Sequence, residues 1–197
     1  MAPEEISGTL LTIGFPELAL GGNNASRKIL VAYASAAGST GGIAETIGKT
    51  LAGADVSADV RRVQSVTNLD HYDAVVLGSA IHGGKWLAEA ADFIQNNRQR
   101  LNQVPTAFFL AGLMPNKNSE ADRKMVAHFL ALECELVPPV AEGRFVGAMF
   151  TKNYPGVTGF GMRFFIAYCG LGWRGGDFRN PAAIRAWAER IRPLLIR

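Results

Sequence analysis

The sequence predicts an α/β protein with a doubly wound parallel sheet. Short apolar runs suited to buried strands alternate with longer segments in which apolar residues recur at helical spacing. Strands that alternate with helices in this way pair in parallel and are covered by helices on both faces. The chain has 197 residues, of which 48% are hydrophobic, which is enough for one full domain of this kind and short for two.

Five strands are predicted, and their patterns indicate where they lie in the sheet. The apolar runs at 28–34 and 73–79 suit buried central strands. Residues 56–63, with the sequence VSADVRRV, alternate apolar and polar side chains, which favours an edge strand with one face in water. The other two strand segments are 106–113 and 143–150.

Helices are predicted to follow these strands. The first begins near Gly41, and the second carries an apolar stripe over 87–101. The third opens with a capping-box pattern at Ser119. The pair Asn180-Pro181 supplies the N-cap and first residue of the closing helix. The expected core face of that helix consists of Ile184, Trp187, Ala188, Ile191 and Leu195.

Residues 1–26 are interpreted as an N-terminal extension with a flexible link, because they end in the turn-rich sequence GGNNAS. The α/β domain is expected to cover 27–197, with an apolar insertion near 151–176. The acidic start differs from a secretory signal, which begins with basic residues. No apolar stretch reaches the ~20 residues that span a bilayer as a helix. We therefore expect a cytoplasmic protein.

Composition argues against several classes of function. The net charge is only +3, and the chain has no block of lysines and arginines, so a nucleic-acid partner is not expected. The two cysteines, Cys134 and Cys169, match neither a zinc nor a redox spacing. With only three histidines in addition, no metal site is predicted. The sequence does not indicate an oligomeric state.

The tripeptide Gly48-Lys49-Thr50 looks like the end of a phosphate-binding P-loop, but its context is wrong. That motif requires a glycine where this chain has Ile43. Ile43, Ile47 and Leu51 recur at helical spacing, so Lys49 lies within a helix already under way. We therefore do not expect an ATP or GTP site here.

The loop 35–40, SAAGST, is a better candidate for binding an anion. It joins an apolar strand to a helix, so its hydroxyl and amide groups converge at the helix N-terminus. It contains no lysine or arginine, which favours a monophosphate over a triphosphate with magnesium. Two other predicted strand ends, 78–84 and 111–114, carry small or hydroxyl residues at the same edge. Open α/β sheets bind ligands at that edge.

Several segments resemble a known family. KILVAYASAAGSTGGIAETIG is similar to the opening of flavodoxins, in which a Ser/Thr-x-Thr-Gly-x-Thr loop surrounds the phosphate of FMN. Ser35, Gly38, Ser39 and Thr40 match that loop, whereas the residues at 36 and 37 are alanines without hydroxyl groups. HYDAVVLGSAIHGGKWLAEAADFI, LNQVPTAFFLAGL and GGDFRNPAAIRAWAERI resemble the menaquinone-dependent protoporphyrinogen IX dehydrogenases and their flavodoxin-domain relatives.

The resemblance implies a flavodoxin-like sheet in the order 2-1-3-4-5, with FMN as the cofactor and no metal. The implied phosphate loop is Ser35, Ala36, Ala37, Gly38, Ser39 and Thr40. The implied contacts to one side of the flavin ring are Ser79, Ala80, Ile81, His82, Gly83 and Gly84, and those to the other side are Ala111, Gly112 and Leu113. The tyrosine that often stacks on the ring is missing. Either His82 or Trp86 covers the flavin, or one face stays open to a flat substrate.

The resemblance further implies an FMN-dependent oxidoreductase that dehydrogenates a tetrapyrrole or another small apolar donor and passes electrons to a quinone. No separate catalytic acid or base is assigned. Two alternatives stay open. One is a flavodoxin that carries electrons to protein partners, although such carriers are typically acidic and this chain is basic. The other is an interaction module that has lost its flavin.

The segment 158–173, TGFGMRFFIAYCGLGW, is unusually apolar. It is bordered by the positively charged residues Lys152, Arg163, Arg174 and Arg179. It is either buried against the domain, or a flap that walls an apolar pocket or docks peripherally on the inner face of an anionic membrane. The run 170–175 spells G-x-G-x-x-G, but no βαβ unit follows it, so an NAD site is not expected.

Overall fold

The computed structural model describes residues 11–22, 25–112, 120–150 and 175–196. Its strands are β1 (Leu18–Leu20), β2 (Arg27–Ala34), β3 (Val56–Arg62), β4 (Ala74–His82), β5 (Lys85–Trp86), β6 (Thr106–Gly112), β7 (Ala141–Val146), β8 (Ala148–Phe150) and β9 (Gly175–Asp177). Its helices are α1 (Ser39–Leu51), α2 (Ala88–Leu101), α3 (Glu120–Leu136) and α4 (Pro181–Leu195).

The main sheet confirms the predicted fold class. Strands β3, β2, β4, β6 and β7 are adjacent in that order and parallel, which is the order 2-1-3-4-5 once the predicted strands are numbered along the chain. The predicted number of five strands is too low, because β1 beside β3 and β5 beside β4 extend the sheet to seven. Helices α1 and α4 pack on one face of this sheet, and α2 and α3 on the other. The protein therefore has a doubly wound, flavodoxin-like architecture with one apolar core on each face.

The prediction that residues 56–63 form an edge strand is wrong. The short strand β1 pairs antiparallel with β3, so β3 has a neighbour on both sides. Its alternating polar residues do not all face water, because Asp59 is buried. The Asp59 carboxylate accepts a hydrogen bond from the Tyr72 hydroxyl at 2.8 Å and lies 3.0 Å from Lys28 Nζ. In the sequence, a buried aspartate that has hydrogen-bond partners looks the same as an exposed one. The alternation of apolar and polar residues therefore does not identify an edge strand here.

Two strand boundaries also differ from the prediction. The segment 143–150 is divided at Gly147: β7 stays in the main sheet, while β8 pairs antiparallel with β9. The strand predicted over 73–79 continues to His82 and turns back as β5. Gly83 and Gly84 form this turn with φ angles of 60° and 76°, which suit a two-residue hairpin turn. The end of β4 is therefore a hairpin rather than an open loop.

The predicted core face of the closing helix is confirmed. Asn180 caps α4 by accepting a hydrogen bond from the Ala183 amide at 3.0 Å, and Pro181 follows at the first helical position. The buried residues of α4 are Ile184, Trp187, Ala188, Ile191 and Leu195. In the part of the chain that the structure describes, no helix is long and apolar enough to cross a membrane.

Residues 11–20, termed the N-terminal strap, run beside α1 and end in β1. Leu11, Leu18 and Leu20 pack against the core on the α1 and α4 face. The buried hydroxyl of Tyr33 donates a hydrogen bond to the Pro16 carbonyl at 3.0 Å. Burial raises the pKa of Tyr33 to about 12, so this hydroxyl stays protonated throughout the neutral range.

Replacing Tyr33 with phenylalanine is expected to lower the free energy of unfolding by about 0.5 to 1.5 kcal/mol, because the Pro16 carbonyl loses its partner while the ring packing is kept. Urea denaturation of the wild type and the variant measures the difference. An unchanged midpoint would mean that this hydrogen bond does not hold the strap to the domain.

Candidate cofactor-binding site

The loop after β2 is a tight turn at the start of α1. Gly38 is the N-cap, with a φ of 84° that side-chain-bearing residues rarely adopt. Its amide donates to Ser35 Oγ at 2.9 Å, which folds the loop back on itself. Ala36 and Ala37 are exposed at the tip of the turn. No side chain of the described residues caps α1, so the amides of its first turn lack both intrahelical acceptors and a side-chain cap there.

Thr40, in that first turn, carries an unsatisfied polar atom. The residue is fully buried, and its Oγ1 has no hydrogen-bond partner among the residues that the structure describes. A buried hydroxyl without a partner is costly, and native structures pair such groups in most cases. The hydroxyl therefore fits an acceptor supplied from outside the chain. A phosphate oxygen at the start of the helix is an acceptor of this kind.

The structure brings two of the predicted strand ends together. The Gly147 amide donates to the Gly112 carbonyl at 3.1 Å, which joins the end of β6 to the break between β7 and β8. A Cβ atom built on Gly147 would lie 3.6 Å from Ser39 Oγ and 3.8 Å from the Gly112 amide nitrogen. Ser39 and Gly112 thus both lie close to Gly147, a residue that the sequence patterns did not single out.

The predicted ring-binding segment 79–84 is placed only in part as the resemblance implies. Ser79 is fully buried, and its hydroxyl oxygen accepts from the Leu87 amide at 3.0 Å while donating to the Ala80 carbonyl at 2.9 Å. That hydroxyl is therefore occupied within the chain. The hairpin beyond it exposes His82 and Gly83, while Ile81 is half-buried.

Trp86, one of the two aromatic residues expected to cover the flavin, is a core residue in this structure. It is buried against Phe108, with ring centroids 5.4 Å apart and the rings edge to face. It belongs to the core on the α2 and α3 face of the sheet. Two of the three sequence-based alternatives remain: His82 covers the ring, or one ring face stays open.

Lys49 lies in the last turn of α1, far from the helix start at which a P-loop lysine would act. It is ten residues after the helix start at Ser39, or ~15 Å along the axis. Its side chain is 59% exposed, and Nζ lies 2.6 Å from Glu45 Oε1. The ammonium group is therefore paired within the later part of α1, and no contact of it with the turn at 35–40 is seen among the described residues.

Replacing Lys49 with glutamine is expected to leave flavin affinity within about twofold of wild type, because an exposed ion pair contributes little to the fold. Titration of the flavin-free variant with FMN measures this. A loss well beyond twofold would revive the triphosphate-binding alternative.

Arg179 is a residue near the turn that sequence reasoning placed wrongly. The sequence suggests that Arg179 is one of the positive charges that border segment 158–173. In the structure its side chain is 0% exposed. Its guanidinium group donates to the carbonyls of Ser39 and Thr12, at 3.1 and 2.7 Å. Burial acts to raise the pKa of Asp177, but hydrogen bonds and the charge of Arg179 hold that pKa below its usual value. The Asp177 carboxylate therefore stays charged at neutral pH.

Some predicted features fall outside the described residues. These are Leu113 in the second ring-binding loop, the G-x-G-x-x-G run apart from its last glycine, and the apolar segment 158–173.

Residues 30–167 match the model of the Flavodoxin domain family. The match spans most of the chain, and the sheet has the order expected of that family. The protein belongs to the flavodoxin domain family.

Sequence identity to the individual relatives is low. Protoporphyrinogen IX dehydrogenase (quinone) of Escherichia coli is 29% identical to this chain over 92 residues, which cover 46% of this chain and 51% of that protein. The chain thus spans about half the length of the curated relatives it matches. An oxidoreductase from Corynebacterium diphtheriae superposes with a TM-score of 0.52 at 13% identity, covering 86% of this chain and 97% of that one. This second likeness is one of fold.

Proposed function

We propose that this protein is an FMN-dependent oxidoreductase. The observation that carries the proposal is the buried, unpartnered hydroxyl of Thr40 in the uncapped first turn of α1. That turn follows a central strand at the sheet edge where doubly wound folds bind ligands. Membership of the flavodoxin domain family and the similarity to a dehydrogenase of Escherichia coli also support the proposal.

The donors at the turn suit a monophosphate. The hydroxyl groups of Ser35, Ser39 and Thr40 would donate to it, together with backbone amides of the turn. The Gly38 amide would not, because it already donates to Ser35 Oγ. No lysine or arginine lies within 35–40 to balance a triphosphate. FMN, which carries a single phosphate, is therefore the flavin that we propose, rather than FAD, which carries two.

The chain's own contribution is to bind and orient the cofactor. When bound, FMN supplies the hydride and electron transfer. The isoalloxazine ring would lie between the hairpin of Ile81, His82 and Gly83 and the end of β6 at Ala111 and Gly112. His82 is the exposed ring system of that hairpin. It would either cover the flavin or leave a face free for a flat substrate.

The substrate is proposed by similarity. The named activity of the Escherichia coli relative couples protoporphyrinogen IX oxidation to a quinone. We propose a tetrapyrrole or similar apolar donor and a quinone acceptor for this chain as well. The net charge of +3 disfavours the alternative of an acidic electron carrier that steers to basic partners.

The visible spectrum of the purified protein tests the cofactor. Bound FMN is expected to give a flavin spectrum, and mass analysis of the cofactor released by heat would identify it. A colourless protein that takes up no FMN on titration would contradict the proposal. It would favour the interaction module that has lost flavin.

Anaerobic assays test the substrate class on flavin-loaded protein. Oxidation of protoporphyrinogen that depends on an added menaquinone analogue is the expected result. Flavin reduction and reoxidation only by protein partners would favour the electron carrier.

Peripheral membrane contact through segment 158–173 stays a prediction. Arg179 is no longer one of the positive charges that support it, because its side chain is buried. The expected result is co-sedimentation with vesicles that increases with their anionic lipid content. A variant with Phe164, Phe165 and Trp173 changed to serine is expected to stay in the supernatant. Wild-type protein that never sediments would contradict the prediction.

A further inference from the structure

We propose that the N-terminal strap and Arg179 form a clamp that sets the shape of the phosphate-binding turn. This inference rests on the proposed binding of FMN. It assigns the strap, which lies outside the five parallel strands, a role in cofactor binding, and it makes Arg179 a positioning residue. Residues 11–20 would then be part of the site rather than part of a flexible extension.

The first observation is the fit between the strap and the glycines of α1. Two adjacent glycines in a helix are unfavourable for its stability, so they need a structural reason. A Cβ atom on Gly41 would lie 2.3 Å from the Gly14 carbonyl oxygen, and one on Gly42 would lie 2.1 Å from the Thr12 carbonyl oxygen. The strap backbone occupies the space that side chains would need. The glycine pair is therefore the surface on which the strap lies.

The second observation is that Arg179 joins three segments distant in sequence. Its guanidinium group donates to strap carbonyls at Leu11 and Thr12, both at 2.7 Å, and to the Ser39 carbonyl at 3.1 Å. The remaining N–H groups donate to Asp177 at 2.8 and 2.5 Å. All five N–H donors are thus used, in a planar arrangement that a lysine ammonium cannot reproduce.

These contacts act on the carbonyl side of the turn. Arg179 holds the Ser39 carbonyl, and the Gly14 amide holds the Gly38 carbonyl at 3.1 Å. The Thr40 hydroxyl and the exposed tip at Ala36 and Ala37 are left for a ligand. The clamp thereby fixes the backbone of the turn through its carbonyl groups and leaves free the side that would face a phosphate.

The clamp lies at the phosphate end of the site. Within the described residues, the hydrogen bonds of Arg179 go to the strap, α1 and Asp177, and none goes to the 79–84 hairpin. Loss of the clamp should therefore weaken recognition of the phosphate and leave ring binding largely intact. A general loss of stability would instead weaken both.

The test compares FMN with riboflavin, which has the same ring and no phosphate. Arg179→Lys keeps the charge but loses the planar fork, and Gly42→Ala displaces the strap without changing any charge. Both variants are expected to bind FMN at least about tenfold more weakly than wild type, with riboflavin affinity changed by less than about twofold. Flavin fluorescence quenching and calorimetry measure both affinities.

Arg192→Lys is the matched control. Arg192 lies near the other end of α4 and pairs with Asp55 at 2.7 Å. This variant should leave both affinities within about twofold of wild type, because its ion pair is partly exposed. If Arg179→Lys does not fold by circular dichroism, Asp177→Asn provides a nearly isosteric disruption of the same clamp.

The outcomes separate the clamp from the proposed function. A selective loss of FMN affinity supports the clamp. Unchanged FMN affinity in the folded variants, or equal loss of FMN and riboflavin, overturns it while FMN binding by the wild type still stands. Wild-type protein that binds neither flavin overturns the proposed function, and with it the role of the clamp.

Discussion

Replacing Trp187 with alanine is expected to lower the free energy of unfolding by about 3 to 5 kcal/mol, the largest effect we expect from a single side chain on the fold. Trp187 is buried between α4 and the sheet, with ring centroids 5.6 Å from Phe145 and 6.3 Å from Phe109. Its Nε1 donates to the Glu142 carbonyl at 3.0 Å. Alanine would leave a cavity and an unpaired carbonyl.

Urea denaturation of flavin-free protein measures this effect, which keeps ligand binding out of the comparison. The exposed Arg190 in the same helix supplies a control: Arg190→Ala should stay within about 0.5 kcal/mol of wild type. A loss below about 1 kcal/mol in Trp187→Ala would contradict the packing of α4 described above. Because Arg179 directly precedes α4, the tryptophan variant is also expected to bind FMN more weakly.

Replacing Thr40 with alanine is expected to weaken FMN binding by about 1 to 3 kcal/mol, because the phosphate loses a hydroxyl donor. The same change should leave the stability of the flavin-free protein within about 1 kcal/mol of wild type. Removing an unsatisfied buried hydroxyl is favourable and roughly offsets the loss of a buried methyl group. Weaker binding with nearly unchanged stability distinguishes a ligand-binding hydroxyl from a structural one.

Calorimetric titration of the flavin-free proteins measures the affinity. Thr50→Ala makes the same chemical change in the same helix, where the hydroxyl donates to the Thr46 carbonyl at 2.8 Å, and should leave FMN affinity within about twofold. Thr40→Ser, which keeps the hydroxyl, should recover most of the lost affinity. Equal affinity of Thr40→Ala and wild type, or tight ATP binding by wild type, would contradict the assignment of this turn to FMN.

The predicted and observed elements agree best where the sequence signal is local. The apolar runs that became β2 and β4 are buried on both faces, so nearly every residue carries the signal. The adjacent pair Asn180-Pro181 predicts the start of α4. The helical spacing of its apolar residues predicts its core face. The α/β class and the position of the strand-to-helix turn at 35–40 could therefore be predicted from local patterns, whereas the strand order was implied by the family resemblance.

The errors arise where a contact joins distant parts of the chain. Residues 56–62 look like an edge strand, and only the pairing of Leu18–Leu20 with them shows otherwise. The hydrogen bonds of Arg179 reach carbonyls 140 and 167 residues away. No periodicity or spacing predicts such partners, because they depend on which surfaces the folded sheet brings together.

The sequence by itself determined the α/β class, the strand order implied by the flavodoxin resemblance, and the hydroxyl-bearing turn at 35–40. The class and the turn follow from patterns within single elements and short motifs, and the strand order follows from the resemblance that those motifs carry. The tertiary structure decided that Trp86 is a core residue, that Ser79 is occupied within the chain, and that Arg179 is buried behind the turn. Each of these depends on neighbours supplied by another strand or helix, and burial and hydrogen bonding among distant residues are settled only when the elements pack.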